Sequence, residues 1–178
     1  MNTLPRRRPV WWRPVLGALG ILWTLPNTLV GLLAGGLGLA FGARVRWNRS
    51  DCALVFHHWP WGPGGAITFG NTILHTGDSL DSACITYEQR AGYCEHPPIR
   101  LGDHERAHVF QYMVLGPLFL PVYLLFGGVS VRNPFERAAD SYALTGRGWW
   151  PGRAAMWRPP AVSKNPDHAD PGRNPDPR

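Results

Sequence analysis

An uncharged apolar run near the N-terminus limits what this chain can fold into more than any other feature. Residues 15–43 read VLGALGILWTLPNTLVGLLAGGLGLAFGA and contain no charged side chain. About 20 apolar residues are enough to span a bilayer as one helix. Pro26–Asn27 interrupts the run, because an internal proline removes a helical hydrogen bond. The run therefore forms either one kinked span or two arms, 15–25 and 28–42, each too short to cross alone.

Arginines lie on both sides of this run: Arg6, Arg7, Arg8 and Arg13 before it, and Arg44, Arg46 and Arg49 after it. A hairpin or re-entrant anchor would leave both groups on the cytoplasmic side, as the positive-inside tendency prefers, whereas a single span would not. We therefore favour an N-terminal apolar helical hairpin, with residues 1–46 forming a basic membrane anchor of the bacterial inner-membrane type. A cleaved signal peptide and a buried helix pair of a soluble protein are the alternatives.

Composition and charge narrow the choice of partners. Apolar residues make up 44% of the 178 residues and charged residues only 17%, and the net charge is +6. No segment interleaves basic and aromatic residues over a length suited to a phosphate backbone, so we expect no nucleic-acid binding. Membrane lipids fit this charge distribution better. The three cysteines are too few for a disulfide framework and are interpreted as reduced thiols, with one disulfide as the alternative.

The remaining chain divides into a domain over residues 47–148 and a Pro/Asp/Arg-rich tail over 149–178, which we expect to be disordered. In the domain, β-branched and aromatic residues bounded by turn residues predict strands within 53–59 and 66–75, with a third at 83–90 as a further candidate. Gly70–Asn71 inside the second run suggests a bulge or a sharp bend.

The motif His-Glu-x-x-His occurs once, with His104, Glu105 and His108 as its defining residues. Gly102–Asp103 predicts a helix start with Asp103 as N-cap, and Gly116–Pro117 predicts its end. Histidines four residues apart share a helix face, so both imidazoles could reach one zinc ion at about 2.0–2.1 Å. Glu105 points about 100° away and could instead take a proton from a zinc-bound water.

A second helix could complete the ligand set. Asn133 as N-cap, Pro134 as first residue and Gly146 beyond the end predict a helix over this stretch. Glu136 and Asp140 then lie one turn apart on one face. Glu136 could be the third zinc ligand, but Asn133-x-x-Glu136 also fits a capping box. Asp140 could accept the free N–H of a ligating histidine and fix its tautomer.

His-Glu-x-x-His followed by Glu-x-x-x-Asp on a second helix resembles the gluzincin clan of zinc metallopeptidases. The segments HERAHVFQYMVLGPLFLPVYLL and NPFERAAD are also similar to small, uncharacterised bacterial predicted membrane-associated metallopeptidases. The resemblance implies Zn²⁺ held by His104, His108 and Glu136, a general base at Glu105 and an orienting carboxylate at Asp140. It further implies that AITFGNTIL is an edge strand that pairs with an extended peptide or protein substrate.

The sequence departs from the larger enzymes of this clan in two ways. Between His108 and the second helix lies the apolar segment 114–131, which we interpret as either core or membrane-embedded. No oxyanion-stabilising residue can be assigned, with Tyr142, His75 and the late arginines as candidates only. The other histidines are not assigned as ligands. His57 and His58, for example, are adjacent on a strand and should face opposite sides.

These observations together predict an α+β fold: a small zincin-like domain with a short antiparallel sheet, a His-Glu-x-x-His helix and a second ligand helix, preceded by the apolar hairpin. The predicted function is that of a zinc metallopeptidase at the membrane, with the metal domain on the cytoplasmic face. The alternative is a non-catalytic, zinc-stabilised membrane-surface module. An open coordination position would favour the enzyme, and a fourth protein ligand would favour the module.

Overall fold

The structure is a computed structural model that describes residues 12–62 and 64–152. The elements are α1 Trp12–Trp23, α2 Leu25–Leu39, β1 Arg44–Asn48, β2 Ala53–His57, β3 Ala66–Phe69, β4 Thr72–His75, β5 Ala83–Cys84, α3 Tyr87–Arg90, β6 Ile99–Arg100, α4 Leu101–Leu115, α5 Phe119–Leu125 and α6 Pro134–Thr145. A 3₁₀ turn, Gly116–Leu118, joins α4 to α5. The predicted α+β class is confirmed. Most of the predicted tail, from residue 153 onward, lies outside the described residues.

The main sheet has four strands in the order β1-β2-β4-β3. The outer pairs are antiparallel, but β2 and β4 run parallel, so the sheet is mixed and not purely antiparallel as expected. The run 66–75 is two strands joined by a tight turn and not one bent strand. Gly70 adopts a φ of 59° there, and Phe69 pairs with Thr72. The reversal makes β3 an edge strand of the sheet, whereas β4, the second half of the predicted edge strand AITFGNTIL, lies between β2 and β3.

The candidate strand at 83–90 is wrong for most of its length. Only β5 is extended, and it pairs with β6 in a separate two-stranded sheet. The chain then turns into the short helix α3, because Thr86 caps it: its Oγ1 accepts a hydrogen bond from the Gln89 N–H at 3.2 Å.

The N-terminal apolar helices are present as a bent pair. Their axes differ by 66°, so they do not fold back fully as the predicted hairpin would. The break falls at Thr24 and not at Pro26, because a proline in the first turn of α2 loses no helical hydrogen bond. Side chains at the break face the domain: Thr24 Oγ1 donates to Asn71 Oδ1 at 2.6 Å, and Asn27 Nδ2 donates to the Gly116 carbonyl at 2.9 Å.

Glycines let α2 pack directly on the sheet. Gly31, Gly35 and Gly38 form a buried stripe on this helix. A Cβ atom at Gly35 would lie 2.4 Å from the Phe56 ring, which shows how closely the helix backbone approaches β2. At the far end of the contact, Trp59 Nε1 donates to the Ala34 carbonyl at 3.1 Å. The inner face of α2 is therefore part of the domain core.

The outer faces of α1, α2 and the α4–α5 region carry exposed apolar side chains, which we call the apolar surface: Leu16, Leu19, Leu22, Leu29, Val30, Leu33, Leu37, Phe41, Val114, Leu118, Leu124 and Leu125. By length and composition alone, Leu101–Leu125 could cross a membrane, and α1 with α2 could do so as one broken span. The first of these carries buried His104, Glu105 and His108, so we interpret it as a core helix.

Helix α4 begins at Leu101, directly after β6, with Arg100 in the N-cap position. The predicted N-cap Asp103 is wrong. This side chain lies in the first turn and pairs with Arg100 and Arg106, each at 3.2 Å. Segment 114–131 proves to be part core and part surface. Phe119 and Tyr123 are buried in it, whereas Leu125 is 86% exposed.

The helix α6 has the predicted bounds. Asn133 Oδ1 accepts a hydrogen bond from the Phe135 N–H at 3.0 Å, and Gly146 ends the helix in the left-handed conformation with a φ of 71°. Two residues that the sequence assigned to the tail, Trp149 and Trp150, pack on the domain, where their rings contact Phe110 and Phe135. All three cysteines are free thiols and half-buried, as the sequence analysis favoured.

Candidate metal centre

Three predicted ligands from two helices converge at one point. His104 and His108 come from α4 and Glu136 from α6, and all three side chains are buried. The Nε2 atoms of the two histidines are 3.2 Å apart. Glu136 Oε2 lies 3.1 Å from Nε2 of His104 and 3.4 Å from Nε2 of His108. The capping-box interpretation of Glu136 is therefore not supported, because its carboxylate points into this cluster.

These spacings match the edge of a coordination tetrahedron. Ligand atoms bound tetrahedrally at about 2.0–2.1 Å from a zinc ion lie about 3.3–3.4 Å from one another. The three observed separations, 3.1, 3.2 and 3.4 Å, fit such a group with little movement. The fourth apex is free of a further His, Cys, Asp or Glu in the described part of the chain.

Hydrogen bonds on the far sides of the imidazoles fix their tautomers. His104 Nδ1 lies 2.9 Å from Asp140 Oδ1, so it donates its N–H to the carboxylate. His108 Nδ1 lies 2.8 Å from Gln111 Oε1. Gln111 Nε2 donates to the carbonyls of Phe135 and Trp149, at 3.1 and 2.7 Å, so its oxygen must be the atom that faces His108. Both rings therefore carry hydrogen on Nδ1 and direct Nε2 toward the centre.

Such an arrangement requires a positive species between the Nε2 atoms. Two lone pairs and a carboxylate oxygen within 3.4 Å of one another repel, unless a proton or a metal ion lies among them. Burial lowers the pKa of His104, but hydrogen bonds to Asp140 and Glu136 outweigh it and raise the pKa well above its usual value. The pKa of His108 is also raised, since attraction to Glu136 exceeds the effect of burial. Without metal, protons therefore fill this role.

The sequence analysis did not identify Tyr123. Its hydroxyl donates to Oε1 of Glu136 from the first turns of α5, and its ring contacts His108 edge-on at 6.1 Å. Burial and the nearby Glu136 carboxylate raise the pKa of Tyr123, so it remains a neutral donor. Its bond holds Oε1 away from the centre and leaves Oε2 to face the histidines. A lone tyrosine within an apolar run carries no sequence signal for this role.

The predicted general base lies beside the same centre. Glu105 is buried, and its Oε2 accepts a hydrogen bond of 2.6 Å from Thr68 Oγ1 on the edge strand β3. Thr68 was also missed from the sequence. Glu105, the three ligand side chains and β3 line one cavity of about 420 Å³. Its remaining walls are mainly aromatic and apolar: Trp59, Trp61, Tyr87, Tyr112, Phe119, Leu120, Tyr123 and Val129.

Of the other oxyanion candidates, His75 lines a second cavity together with His104, Glu105 and Asp140, and Arg153 and Arg158 lie outside the described residues. Tyr142 contacts Phe110, with ring centroids 6.0 Å apart, on the side of α4 away from the cluster. His75 lies on β4 with its Nδ1 3.1 Å from Nδ1 of His57, while His58 pairs with Asp78 at 3.0 Å. Neither Tyr142 nor His75 contacts a ligand atom of the metal centre in any of these interactions.

Comparisons with known proteins identify no relative of this chain. No protein-family profile, no curated protein and no solved structure matches it. The resemblance to gluzincins therefore stays a prediction that rests on the motif and on the geometry of the cluster.

Proposed function

We propose that this chain is a membrane-associated zinc metallopeptidase that hydrolyses a peptide bond in an extended peptide or protein substrate. The observation that carries the proposal is the triangle of His104 Nε2, His108 Nε2 and Glu136 Oε2, which no fourth His, Cys, Asp or Glu of the described residues joins, with Glu105 on the same cavity. Three protein ligands and an open position are typical of catalytic zinc sites and not of structural ones. The non-catalytic module is therefore the weaker candidate.

The chain's own residues supply the remaining chemistry. A zinc ion held here would act as a Lewis acid and lower the pKa of a bound water. Glu105 takes the proton of the attacking water as its oxygen bonds to the scissile carbonyl carbon, and passes that proton to the leaving amide nitrogen as the C–N bond breaks. Thr68 orients the Glu105 carboxylate for this transfer.

Strand β3 supports an extended substrate. Among the strands of the described residues its backbone pairs only with β4, and its residues line the cavity beside Glu105. A peptide that added to this edge would gain main-chain hydrogen bonds and present its backbone to the metal centre. The apolar walls favour apolar side chains next to the cleaved bond.

The apolar surface supports a location at the membrane. Large exposed apolar areas mark membrane or protein contacts, and the apolar surface includes side chains of α1, α2 and the α4–α5 region. The helices α1 and α2 are 12 and 15 residues long, so each is too short to cross alone and suits an interfacial or re-entrant position.

The deciding experiment compares wild type with Glu105→Gln, using a fluorogenic peptide library of mixed sequence in detergent micelles and zinc analysis of the same samples. We expect Glu105→Gln to keep one zinc at this centre and to lose cleavage. Glu136→Ala should lose both. Cleavage that survives in Glu105→Gln would exclude Glu105 as the base, and zinc retained in full by Glu136→Ala would exclude Glu136 as a ligand.

A further inference from the structure

A second group of metal-ligating side chains lies outside the centre formed by α4 and α6. Glu88 on α3, together with Cys94 and His96 on the following loop, places one potential ligand atom from each residue within 4.8 Å of the others. Cys94 Sγ is 3.5 Å from His96 Nδ1 and 4.0 Å from Glu88 Oε2. All three residues are half-buried, so solvent reaches the group.

The distances approach those of a zinc site with mixed ligands. A sulfur at about 2.3 Å and a nitrogen at about 2.0–2.1 Å from a tetrahedral zinc lie about 3.5 Å apart, as Cys94 and His96 do. Glu88 needs only a small side-chain shift to join them. Its other oxygen, Oε1, is held by Arg137 Nη2 at 2.8 Å, which directs Oε2 toward the thiol.

One existing contact must change for a metal to bind. His96 Nδ1 lies 3.1 Å from Thr86 Oγ1, which also accepts the Gln89 N–H. The metal would replace the Thr86 contact of His96, while the cap of α3 can stay in place. Burial and the Glu88 carboxylate raise the pKa of the Cys94 thiol, so metal binding displaces the thiol proton to solvent.

We propose that Glu88, Cys94 and His96 form a second divalent metal site of the zinc class, with solvent completing the coordination. A thiolate and an imidazole select zinc-like ions over magnesium or calcium. A metal bound here would stabilise the local structure. It ties the start of α3 to the loop that follows it, and so fixes Tyr87, whose backbone N–H donates to Asp140 Oδ2 at 2.7 Å. Asp140 in turn orients His104.

Cobalt separates the two sites, because only one of them contains sulfur. We would titrate the full reduced chain with Co²⁺ and follow both stoichiometry and the near-ultraviolet sulfur-to-cobalt charge-transfer band. Wild type should bind two equivalents and develop the band. Cys94→Ser should bind one and lose the band, while the matched control Cys52→Ser should behave as wild type. In His96→Gln, the cobalt affinity measured from the sulfur band should be at least tenfold weaker than in wild type.

The two proposals fail separately in this experiment. Glu136→Ala should remove one equivalent of cobalt and leave the sulfur band intact, whether or not the chain cleaves peptides. A wild-type protein that binds cobalt without the band would overturn the second site, as would a band that persists in Cys94→Ser. Far-ultraviolet circular dichroism of each variant shows whether it is folded. If Cys94→Ser unfolds, the cobalt affinity of His96→Gln tests the second site instead, and an unchanged affinity would overturn it.

Discussion

Thr68 on the edge strand donates a 2.6 Å hydrogen bond to Glu105 on α4, so the strand and the proposed base are directly linked. A substrate strand that paired with β3 would contact the same element that orients the carboxylate. Binding and proton transfer would thus be connected by one side chain. The consequence can be tested without altering any metal ligand.

Thr68→Val should lower kcat about tenfold, because Glu105 loses the donor that orients it. General-base catalysis contributes about 10²–10⁴-fold in total, so this variant should lose part of it. KM and zinc content should stay near wild type. Thr68→Ser restores the hydroxyl and should recover most of the rate. An equal fall in both variants would contradict this role of the hydrogen bond, because serine keeps the donor that valine lacks.

Gln111→Met should weaken zinc binding about 10–100-fold, since His108 loses the acceptor that fixes its tautomer. The buried carbonyls of Phe135 and Trp149 also lose a donor, so some loss of stability is expected. Competition with a chromophoric chelator measures the affinity. Val114→Met on the exposed side of α4 is the control and should bind zinc as wild type does.

The stability of the metal-free protein should fall as pH rises. The pKa of His104 is raised in the folded state, so its contribution is complete below the unfolded value of about 6.5 and is lost as pH passes the higher folded value. Zinc replaces these protons, so the difference in Tm between the zinc and chelator-treated forms should grow from about pH 6 to about pH 8. His104→Ala should abolish that growth, and a flat difference in wild type would contradict protonation of the metal-free histidines.

Gly35→Ala should destabilise the chain by more than about 1 kcal/mol, the size of a one-methylene overpacking effect, because the new Cβ would lie 2.4 Å from the Phe56 ring. At the neighbouring Gly36 a Cβ would meet no atom within 4 Å, so Gly36→Ala should stabilise α2 by up to about 1 kcal/mol through helix propensity. Denaturant unfolding in matched micelles measures both. Equal effects would mean that α2 does not rest on the sheet.

Membrane association should depend on the apolar surface. Leu33, 76% exposed, and Leu37, 57% exposed, lie on the outer face of α2. The double substitution Leu33→Glu with Leu37→Glu should reduce flotation with anionic phospholipid vesicles at least tenfold, because it buries carboxylates in the interface. Ser141→Glu, an exposed change on α6, should float as wild type does. Unchanged flotation of the double variant would remove this surface from the proposal.

Local signals predicted the parts of the site that local chemistry determines. Asn133, Pro134 and Gly146 bound α6 as expected, because each acts within one helical turn. The start of α4 was misplaced because Asp103 has the right residue type for a cap but pairs with two arginines instead. Which residue a side chain pairs with depends on tertiary contacts that a local pattern does not contain.

The surrounding residues of the centre could not be predicted for the same reason. Thr68 and Tyr123 reach it only because β3 and α5 pack on α4, at sequence separations of 37 from Glu105 and 13 from Glu136. Glu136 itself fitted two roles equally well from its spacing. Only the tertiary packing of α4 against α6 shows that Glu136 faces the two histidines and does not cap its own helix.

The close packing of α2 on the sheet means that the domain depends on this helix for part of its core. If α2 left the sheet, Phe56 and the β3–β4 turn would lose the helix backbone that packs against them. A fragment without α2 would therefore lose part of its core, and we expect it to be unstable.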